Sequence, residues 1–204
     1  MRLMIAIPCG DTVRYEFAQS LANLCKHLSD IGIDYDVEWL EGSLIYMARD
    51  ELANRAINGE YDYVFWLDSD MRFSPDVFDL LRAAKEPFVT GIYRSRRSPY
   101  AICLAQYPDN GTRVIDLPAE NFEVSWCGFG CVLMKTEVLY EVRSIFQQMF
   151  TPTPKGGEDI SFCQRWRDLG GKVIAVPDAK AEHITYVRLR SDDPHLLVDY
   201  GEKR

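Results

Sequence analysis

The sequence has no Cys-x-x-Cys pair, although its 204 residues include six cysteines and three histidines. Zinc ribbons and thioredoxin-like redox sites are built on closely spaced pairs of this kind, so neither class is indicated. Cys127 and Cys131 are four residues apart, but no second pair or suitably spaced histidine accompanies them. We interpret the cysteines as small apolar residues of a protein kept in a reducing compartment.

Long apolar runs are also absent. No stretch approaches the roughly 18 residues that a membrane helix requires. The apolar start, Leu3–Ile7, is too short for the core of a signal peptide and is soon followed by Asp11. We therefore expect a soluble, cytoplasmic protein without a membrane span.

Basic residues are outnumbered, since 23 lysines and arginines stand against 31 acids and leave a net charge of −8. A nucleic-acid surface normally shows as a basic excess, so we expect no stable nucleic-acid complex. An acidic protein can still bind an anionic nucleotide where a metal ion and a few arginines supply local positive charge. The length and the 47% hydrophobic content predict one domain with a substantial core.

The most informative stretch is an apolar run, Tyr63–Leu67, that ends abruptly at Asp68 and Asp70. Its five bulky β-formers predict a strand buried on both faces. Ser74 and Pro75 then predict the N-cap and first turn of a helix. The two carboxylates would thus lie at the carboxyl edge of a central strand, where open α/β sheets bind ligands and where oxygen atoms suit Mg²⁺ or Mn²⁺. A bare Asp-x-Asp is also typical of an acidic turn, so its meaning depends on the rest of the chain.

The first half of the chain alternates between strands and helices. The predicted strands are Leu3–Ile7, Asp36–Leu40, Tyr63–Leu67 and Phe88–Ile92, and the predicted helices between them are Phe17–Leu28, Leu44–Asn58 and Pro75–Ala84. This order implies an α/β fold with a mostly parallel, Rossmann-like sheet and right-handed crossovers.

The second half is less regular. Its predicted elements are an antiparallel hairpin of Ala101–Gln106 with Arg113–Leu117, strands Phe122–Trp126, Cys131–Met134 and Val173–Val176, and helices Thr136–Ile145 and Glu158–Leu169. Thr151–Gly157 is the loosest stretch and predicts a mobile loop. We expect one domain over residues 1–190, with halves of about 1–97 and 98–190, followed by a tail over 191–204.

Four further features lie at strand ends or helix starts. Arg49, early in the second helix, can reach a phosphate or a base. Trp126 precedes Gly128, and an aromatic ring beside glycine permits close approach of a ligand. Asp159 lies in the first turn of a helix, which favours an ionised proton acceptor, and His183 can complete a divalent metal site. Taken singly, these features are equally consistent with a solvated helix face, a tight turn, a helix cap and a solvated histidine.

In their order, these features resemble the GT-A glycosyltransferases, specifically the family 2-like enzymes and their small phage and bacterial relatives. The likeness runs from Leu3 to about His183. Tyr63–Asp70 is similar to the family's strand and DxD motif, and Gly157–Asp159 to its Glu-Asp motif. Ala48–Ala53 is similar to its Arg-Asn helix motif, although Asp50 stands where asparagine is commoner.

The resemblance implies a role for each of these positions. Asp70 and His183 would ligate Mn²⁺ or Mg²⁺ at the diphosphate of a sugar nucleotide. Asp68 would contact the metal or the ribose, and Asp159 would be the catalytic base. The further donor-site residues that the resemblance implies are Pro8, Glu41, Arg49, Trp126 and Gly128.

The implied activity is metal-dependent, hexosyltransferase-like transfer of a sugar from a nucleotide-diphospho-sugar to a hydroxyl group. A UDP-sugar is a better expectation than a GDP-sugar, and the acceptor would be a glycan or another hydroxyl compound. One displacement with one base implies inversion at the anomeric carbon. The Thr151–Gly157 loop would close over the bound donor and exclude water.

Three alternatives stay open. A haloacid-dehalogenase-like phosphatase also places Asp-x-Asp after a strand, but Arg72 stands where its motif has Thr or Val, and Asp68 ends the third strand rather than the first. A nucleotidyltransferase would open with a more glycine-rich, basic loop. A catalytically silent GT-A domain that only binds a nucleotide sugar would keep the same residues. The basic clusters, which would receive an anionic acceptor or a diphosphate or else be solvated loops, comprise Arg94, Arg96, Arg97, Arg188 and Arg190.

Overall fold

The structure, a computed structural model, describes residues 1–42, 44–96, 99–108, 114, 116–154 and 156–185. Its strands are β1 Arg2–Cys9, β2 Asp34–Glu41, β3 Tyr63–Leu67, β4 Met71–Phe73, β5 Phe88–Ile92, β6 Leu104–Gln106, β7 Phe122–Cys127, β8 Cys131–Lys135 and β9 Val173–His183. Its helices are α1 Tyr15–Asp30, α2 Ile45–Asn58, α3 Val77–Ala83, α4 Thr136–Ile145 and α5 Glu158–Asp168.

The strands form one sheet in the order β2-β1-β3-β8-β5-β9-β7-β6, and β4 pairs with β9 off this path. Within the described residues, all strands of that path run in one direction except β8 and β7. The predicted α/β class with a mostly parallel sheet is therefore confirmed. Strand β8, from the predicted second half, lies between β3 and β5, so the two halves share one sheet.

Helices cover both faces of the sheet because the central strands alternate between two apolar clusters. Phe65 and Leu67 of β3 pack on the same side as the apolar faces of α1 and α3. Val64 and Trp66 pack on the other side with α2, α4 and α5. These four side chains have no exposed surface, so the prediction of a strand buried on both faces is correct. Among the residues that the structure describes, no helix has the length and apolarity needed to cross a bilayer.

The helix expected at Ser74 begins later than predicted. Met71–Phe73 forms β4, which pairs with the end of β9, so the chain leaves Asp70 as a strand. Helix α3 begins at Val77, and the Ser74 backbone carbonyl accepts a hydrogen bond from its N–H group. The prediction of Ser74 as the N-cap was therefore wrong. The residues just before Ser74 are held in a strand whose partner, β9, lies more than one hundred residues later in the sequence.

The expected hairpin is described only in part, and its first strand also pairs with a strand that was not predicted as its partner. Leu104 and Ala105 of β6 face Cys127 and Trp126 of β7 in an antiparallel ladder. Of the predicted partner strand, Val114 donates its N–H group to the Leu104 carbonyl oxygen, whereas residues 109–113 and 115 lie outside the described part. The turn residues predicted a reversal of the chain but carried no information about the neighbouring strand.

Strand β9 continues seven residues beyond its predicted end at Val176. Pro177 interrupts the apolar run, which made the strand look finished, but the ladder with β5 shifts register there and resumes at Lys180. The extension reaches His183, which pairs with Met71. His183 is thereby brought beside Asp70, which the apolar pattern alone could not predict.

Buried aromatic rings hold α5 against the sheet. Phe162 of α5 stacks on Phe150, with ring centroids 4.5 Å apart, and meets Phe88 and Phe129 edge to face. Trp66 of β3 closes the cluster against Phe129. Because α5 carries Asp159 at its start, this cluster fixes where that carboxylate lies.

Replacement of Phe162 by alanine should lower the free energy of unfolding by about 3–5 kcal/mol, since it removes buried apolar surface and leaves a cavity. Urea unfolding followed by fluorescence measures this change. Tyr140→Ala on α4, where the ring is 60% exposed, is the control and should cost less than about 1 kcal/mol. Equal losses in the two variants would contradict the packing described here.

Candidate functional site

Two connected cavities lie at the carboxyl end of β3. The first cavity, about 370 Å³, is lined by Pro8, Gly42, Arg49, Asp68 and Asp70 among others. The second cavity, about 300 Å³, is lined by Arg49, Asp68, Tyr93, Trp126, Gly128, Asp159 and His183 among others. Because they share Arg49, Asp68, Arg96 and Glu158, the two cavities form one continuous site at the edge where α/β sheets bind ligands.

Arg49 is buried at the centre of this site. Its side chain is 3% exposed, its Nη2 donates to Asp68 Oδ1 at 2.9 Å, and its Nε lies 3.5 Å from Glu158 Oε1. Burial disfavours the guanidinium charge, but Asp68, Glu158 and Asp159 more than compensate, and the pKa of Arg49 is raised. The interpretation of Arg49 as a solvated helix residue is therefore wrong.

Two donors of Arg49 remain unsatisfied. Its Nε and Nη1 have no hydrogen-bond partner among the described residues, although both atoms are buried. A buried charged donor without an acceptor is costly and rare in folded proteins. Arg49 lines both cavities, but these two atoms are themselves covered, and Nε has the longer contact to Glu158.

Asp50, the neighbour of Arg49, has a structural role. Its Oδ1 accepts a hydrogen bond from the Phe150 N–H group at 3.0 Å. Burial raises the pKa of Asp50, which this backbone contact partly offsets. Asp50 thus ties α2 to the segment that leads into the phenylalanine cluster and α5, a task that the sequence did not reveal.

Asp70 is held between two side chains. Arg96 Nη1 lies 2.5 Å from its Oδ2, and His183 Nε2 lies 3.3 Å from its Oδ1. Burial alone would raise the pKa of Asp70, but the bond to His183 and the charges of His183 and Arg96 lower it. The carboxylate is therefore ionised and already balanced by local positive charge.

His183 is oriented by contacts on both of its ring nitrogens. Nδ1 lies 3.1 Å from the Arg94 carbonyl oxygen, so its proton is donated there. The ring also meets Tyr93 edge to face, at 5.7 Å between centroids. Nε2 is then the nitrogen that faces Asp70; it donates to that carboxylate when it carries a proton, and it could ligate a metal ion only without one.

Asp70, His183 and Asp68 fit a hard or borderline divalent cation by their chemistry. Ligands at right angles around Mg²⁺ lie about 3 Å apart, and the 3.3 Å between Asp70 Oδ1 and His183 Nε2 matches this spacing. Among the described residues, however, no three acidic, histidine or cysteine side chains are already arranged to hold a metal ion. Arg49 engages Asp68 and Arg96 engages Asp70, so Arg96 must move for a cation to reach both carboxylates.

Asp159 begins α5 beside Glu158. Its Oδ1 accepts a hydrogen bond from the Ile160 N–H group at 2.7 Å, which leaves Oδ2 for another partner. Burial and the Glu158 charge raise the pKa of Asp159 and outweigh the Ile160 bond and Arg49, which lower it. We expected the helix N-terminus to favour the ionised carboxylate, and burial and the Glu158 charge act against that effect. A raised pKa makes the carboxylate a stronger proton acceptor once it is ionised.

The glycines after Trp126 allow Tyr93 to approach the backbone. Tyr93 Oη accepts a hydrogen bond from the Gly130 N–H group at 2.9 Å, and a Cβ atom at Gly128 would lie 2.2 Å from the same oxygen. The segment is a tight turn between β7 and β8, as one interpretation had it. It is also a wall of the second cavity, because Trp126, Gly128 and Phe129 line it.

The remaining two residues predicted for the donor site, Pro8 and Glu41, lie in different places. Pro8, at the end of β1, lines the first cavity. Glu41 ends β2 opposite Cys9 and is exposed. It lines a neighbouring hollow with Leu40 and Met47, which shares Gly42 with the first cavity.

Of the basic cluster, Arg96 reaches the site, whereas Arg97, Arg188 and Arg190 lie outside the described residues. Sequence reasoning gave no separate role to Tyr93, Phe129 or Glu158, although Glu158 is the Glu of the Glu-Asp motif, and its contact with Arg49 was not foreseen. Thr153 in the predicted mobile loop is bonded to Ser161 of α5, and the closing of that loop stays a prediction.

Similar proteins were found by structure alone, because no protein-family model and no curated protein sequence matches the chain. A197 from STIV is similar, with a TM-score of 0.60 and 19% identity over 96% of this chain and 100% of that chain. GalNAc-T7, solved with UDP, GalNAc and Mn²⁺, is similar with a TM-score of 0.61 and 12% identity over 91% of this chain and 44% of that chain. The predicted GT-A glycosyltransferase fold is thereby confirmed.

Replacement of Arg96 by glutamine should strengthen Mn²⁺ binding in the absence of nucleotide, because it removes the cation that engages Asp70. We expect a gain of about two- to fivefold, because an ion pair with so exposed an arginine is worth at most about 1 kcal/mol. Electron paramagnetic resonance of free Mn²⁺ measures the affinity, and Arg72→Gln, which removes an exposed arginine paired with Glu182, is the control.

Asp70→Ala should abolish the binding in the same titration. Unchanged or weaker binding by the Arg96 variant would show that Arg96 does not compete with a cation.

Proposed function

We propose that the protein is a metal-dependent glycosyltransferase that moves a sugar from a nucleotide-diphospho-sugar to an acceptor hydroxyl. The observation that carries this proposal is the meeting of Asp68, Asp70, Arg49 and Asp159 around one continuous site in a GT-A fold. UDP is the expected nucleotide, as in the UDP- and Mn²⁺-containing structure of GalNAc-T7. Membership of the family 2-like enzymes belongs to the same proposal.

The first cavity would receive the nucleotide. Pro8 and Gly42, at the ends of β1 and β2, offer a wall against which a base and ribose can pack. Asp68 can accept a hydrogen bond from a ribose hydroxyl, and the positive charge of Arg49, which lines this cavity, favours a diphosphate beside it. Arg96 lines both cavities and can move from Asp70 to the same diphosphate.

The donor set Asp68, Asp70 and His183 would hold Mn²⁺ or Mg²⁺. The ion, when bound, supplies positive charge that offsets the negative charge developing on the leaving diphosphate. The oxygen ligands prefer such ions, and the ordered Nε2 of His183 adds a nitrogen ligand that Mn²⁺ tolerates. The proposed metal dependence therefore rests on the chemistry of these three side chains.

Asp159 would act as the base. The acceptor oxygen attacks the anomeric carbon, the bond from that carbon to the diphosphate oxygen breaks, and its electron pair leaves with the nucleoside diphosphate. The acceptor proton goes to the carboxylate of Asp159, which has Oδ2 available. A single displacement of this kind inverts the anomeric configuration.

Of the alternatives, the GT-A fold argues against a haloacid-dehalogenase-like phosphatase, because Asp68 ends the third strand and is paired with Arg49. A catalytically silent sugar-nucleotide-binding domain differs only in the fate of the bound donor. We propose that the acceptor is a glycan or another hydroxyl compound and that the single domain spans residues 1–190.

Asp159→Asn should keep donor binding and lose transfer. We expect binding of UDP with Mn²⁺ to stay within about twofold, and transfer to fall about 10²- to 10⁴-fold, the usual worth of a general base. Calorimetry measures the first, and release of UDP from UDP-sugars in the presence of candidate acceptors measures the second.

Asp168→Asn, an exposed position on the same helix, is the matched control and should leave both quantities unchanged. Full transfer by the Asp159 variant would place the base elsewhere. UDP binding without transfer by the unaltered protein, across all donors and acceptors supplied, would favour the silent domain.

The pH dependence of transfer should follow the raised pKa of Asp159. The base must be ionised, so kcat/KM should fall as the pH falls through a pKa above the ordinary aspartate value of about 3.9. Glu158 is one cause of that raised pKa, so Glu158→Gln should move this acidic limb to lower pH.

Glu158 also contacts Arg49, and the absolute rate will therefore change. The position of the limb is the readout. Glu137→Gln at an exposed position of α4 is the control, and a limb that stays in place or moves to higher pH in the Glu158 variant would contradict the assignment.

A further inference from the structure

A third cavity, of about 560 Å³, adjoins the site and has no role in donor binding as described above. It lies between the carboxyl ends of β5 and β9 and the segment 100–102. Most of its walls are apolar, and these are Ile92, Tyr93, Tyr100, Ile102, Leu117 and Ala181. Its size is within the range of cavities that bury small organic ligands.

The third cavity is in direct contact with the reaction centre. Tyr93, Ser95 and His183 line both this cavity and the second cavity, which contains Asp159. A molecule bound in the third cavity therefore lies one side chain away from the groups assigned to chemistry. The nucleotide would occupy the first cavity, at the other end of the site.

One residue of the apolar wall, Tyr100, has an unfavourable backbone conformation. Tyr100 has φ +55°, a left-handed conformation that is unfavourable for a bulky residue. Arg94 Nη1 donates to the Tyr100 carbonyl oxygen at 3.0 Å, and the Ser95 N–H group donates to the Ala101 carbonyl oxygen at 2.8 Å. These bonds hold a ring that is 45% exposed at the cavity, and strained backbone of this kind concentrates at ligand sites.

The charge of the third cavity is opposite to that of the whole protein. Lys180 and Arg94 line it, and neither has a carboxylate partner among the residues that the structure describes. The acid beside them, Glu182, is paired with Arg72. In a chain with a net charge of −8, two cations with no carboxylate paired to them among the described residues, next to an apolar wall, indicate a ligand that is partly apolar and partly anionic.

We propose that the third cavity binds the acceptor and that this acceptor has an apolar body carrying an anionic group. The apolar body packs against Tyr100, Ile102 and Leu117, and the anionic group pairs with Lys180 and Arg94. This inference rests on the proposed transfer reaction, since it is that reaction which requires an acceptor beside Asp159. It narrows the acceptor from any hydroxyl compound to an amphiphilic anion.

Calorimetry with phenyl phosphate tests the proposal, with UDP and Mg²⁺ present at saturation so that the first cavity is filled. Phenyl phosphate should bind at least about tenfold more tightly than inorganic phosphate or phenol, because each of these supplies only half of the contacts. Decyl phosphate, kept as monomers, distinguishes the two sources of such chemistry. Tighter binding than phenyl phosphate indicates a lipid phosphate, and equal or weaker binding indicates a small aromatic or glycosyl phosphate.

Lys180→Gln and Leu117→Asp should each weaken phenyl phosphate binding about five- to tenfold, as expected for one charged or one apolar contact. Both positions are exposed, so folding should be preserved, and unchanged melting temperatures check this. Lys172→Gln, an exposed lysine outside the cavity and paired with Glu123, is the matched control. UDP affinity should be the same in all of these variants.

Equal binding of inorganic phosphate and phenyl phosphate would overturn the proposal, as would full affinity in the Lys180 variant. Phenyl phosphate binding that is seen without UDP but lost when UDP is at saturation would place it in the donor cavity and would likewise overturn the proposal. Any of these results with normal UDP binding contradicts the acceptor assignment alone. Failure of UDP to bind at all would contradict the proposed function, whereas phenyl phosphate binding would still report on the third cavity.

Discussion

The charge of Arg49, buried beneath the site, is the constraint on which the remaining geometry depends. A guanidinium with 3% of its side chain exposed must be compensated, and Asp68 and Glu158 do so from two different elements. The ring of Phe129, 5.2 Å from the guanidinium carbon, adds a cation–π contact. One side chain of α2 therefore fixes the end of β3, the start of α5 and the β7–β8 turn relative to one another. Two of its donors, Nε and Nη1, form no hydrogen bond with the described residues.

An anion site in an acidic protein requires its positive charge to be concentrated. Asp68 and Asp70 would repel each other so close together, but each is paired with its own arginine. The chain reaches this arrangement through long-range pairings. The bulged extension of β9 brings His183 beside Asp70, and Asp50 binds the segment before α5. The site is consequently assembled from both halves of the chain, and neither half contains it alone.

Sequence periodicity predicted the first half well because its strands and helices are set by local patterns. Tyr63–Leu67 is buried on both faces as predicted, and Asp68 follows it at the sheet edge. The failures share a cause. The late start of α3 after Ser74, the partner of β6 and the extension of β9 all depend on which distant strand pairs with which. The raised pKa of Asp159 could not be predicted for a similar reason, because the helix end is a local feature whereas burial comes from packing.

The two arginines that pair with the aspartates differ in a way that matters for function. Arg49 is 3% exposed and cannot leave Asp68 without uncovering a buried charge, whereas the Arg96 side chain is 57% exposed. An ion pair that is so exposed to water contributes little net stability and is easily broken. Arg96 can therefore exchange its carboxylate for a diphosphate when a cation takes over Asp70. The site thus has one permanent positive charge, Arg49, which fixes its shape. It has a second positive charge, Arg96, which can change partners so that the site stays neutral before and after the donor binds.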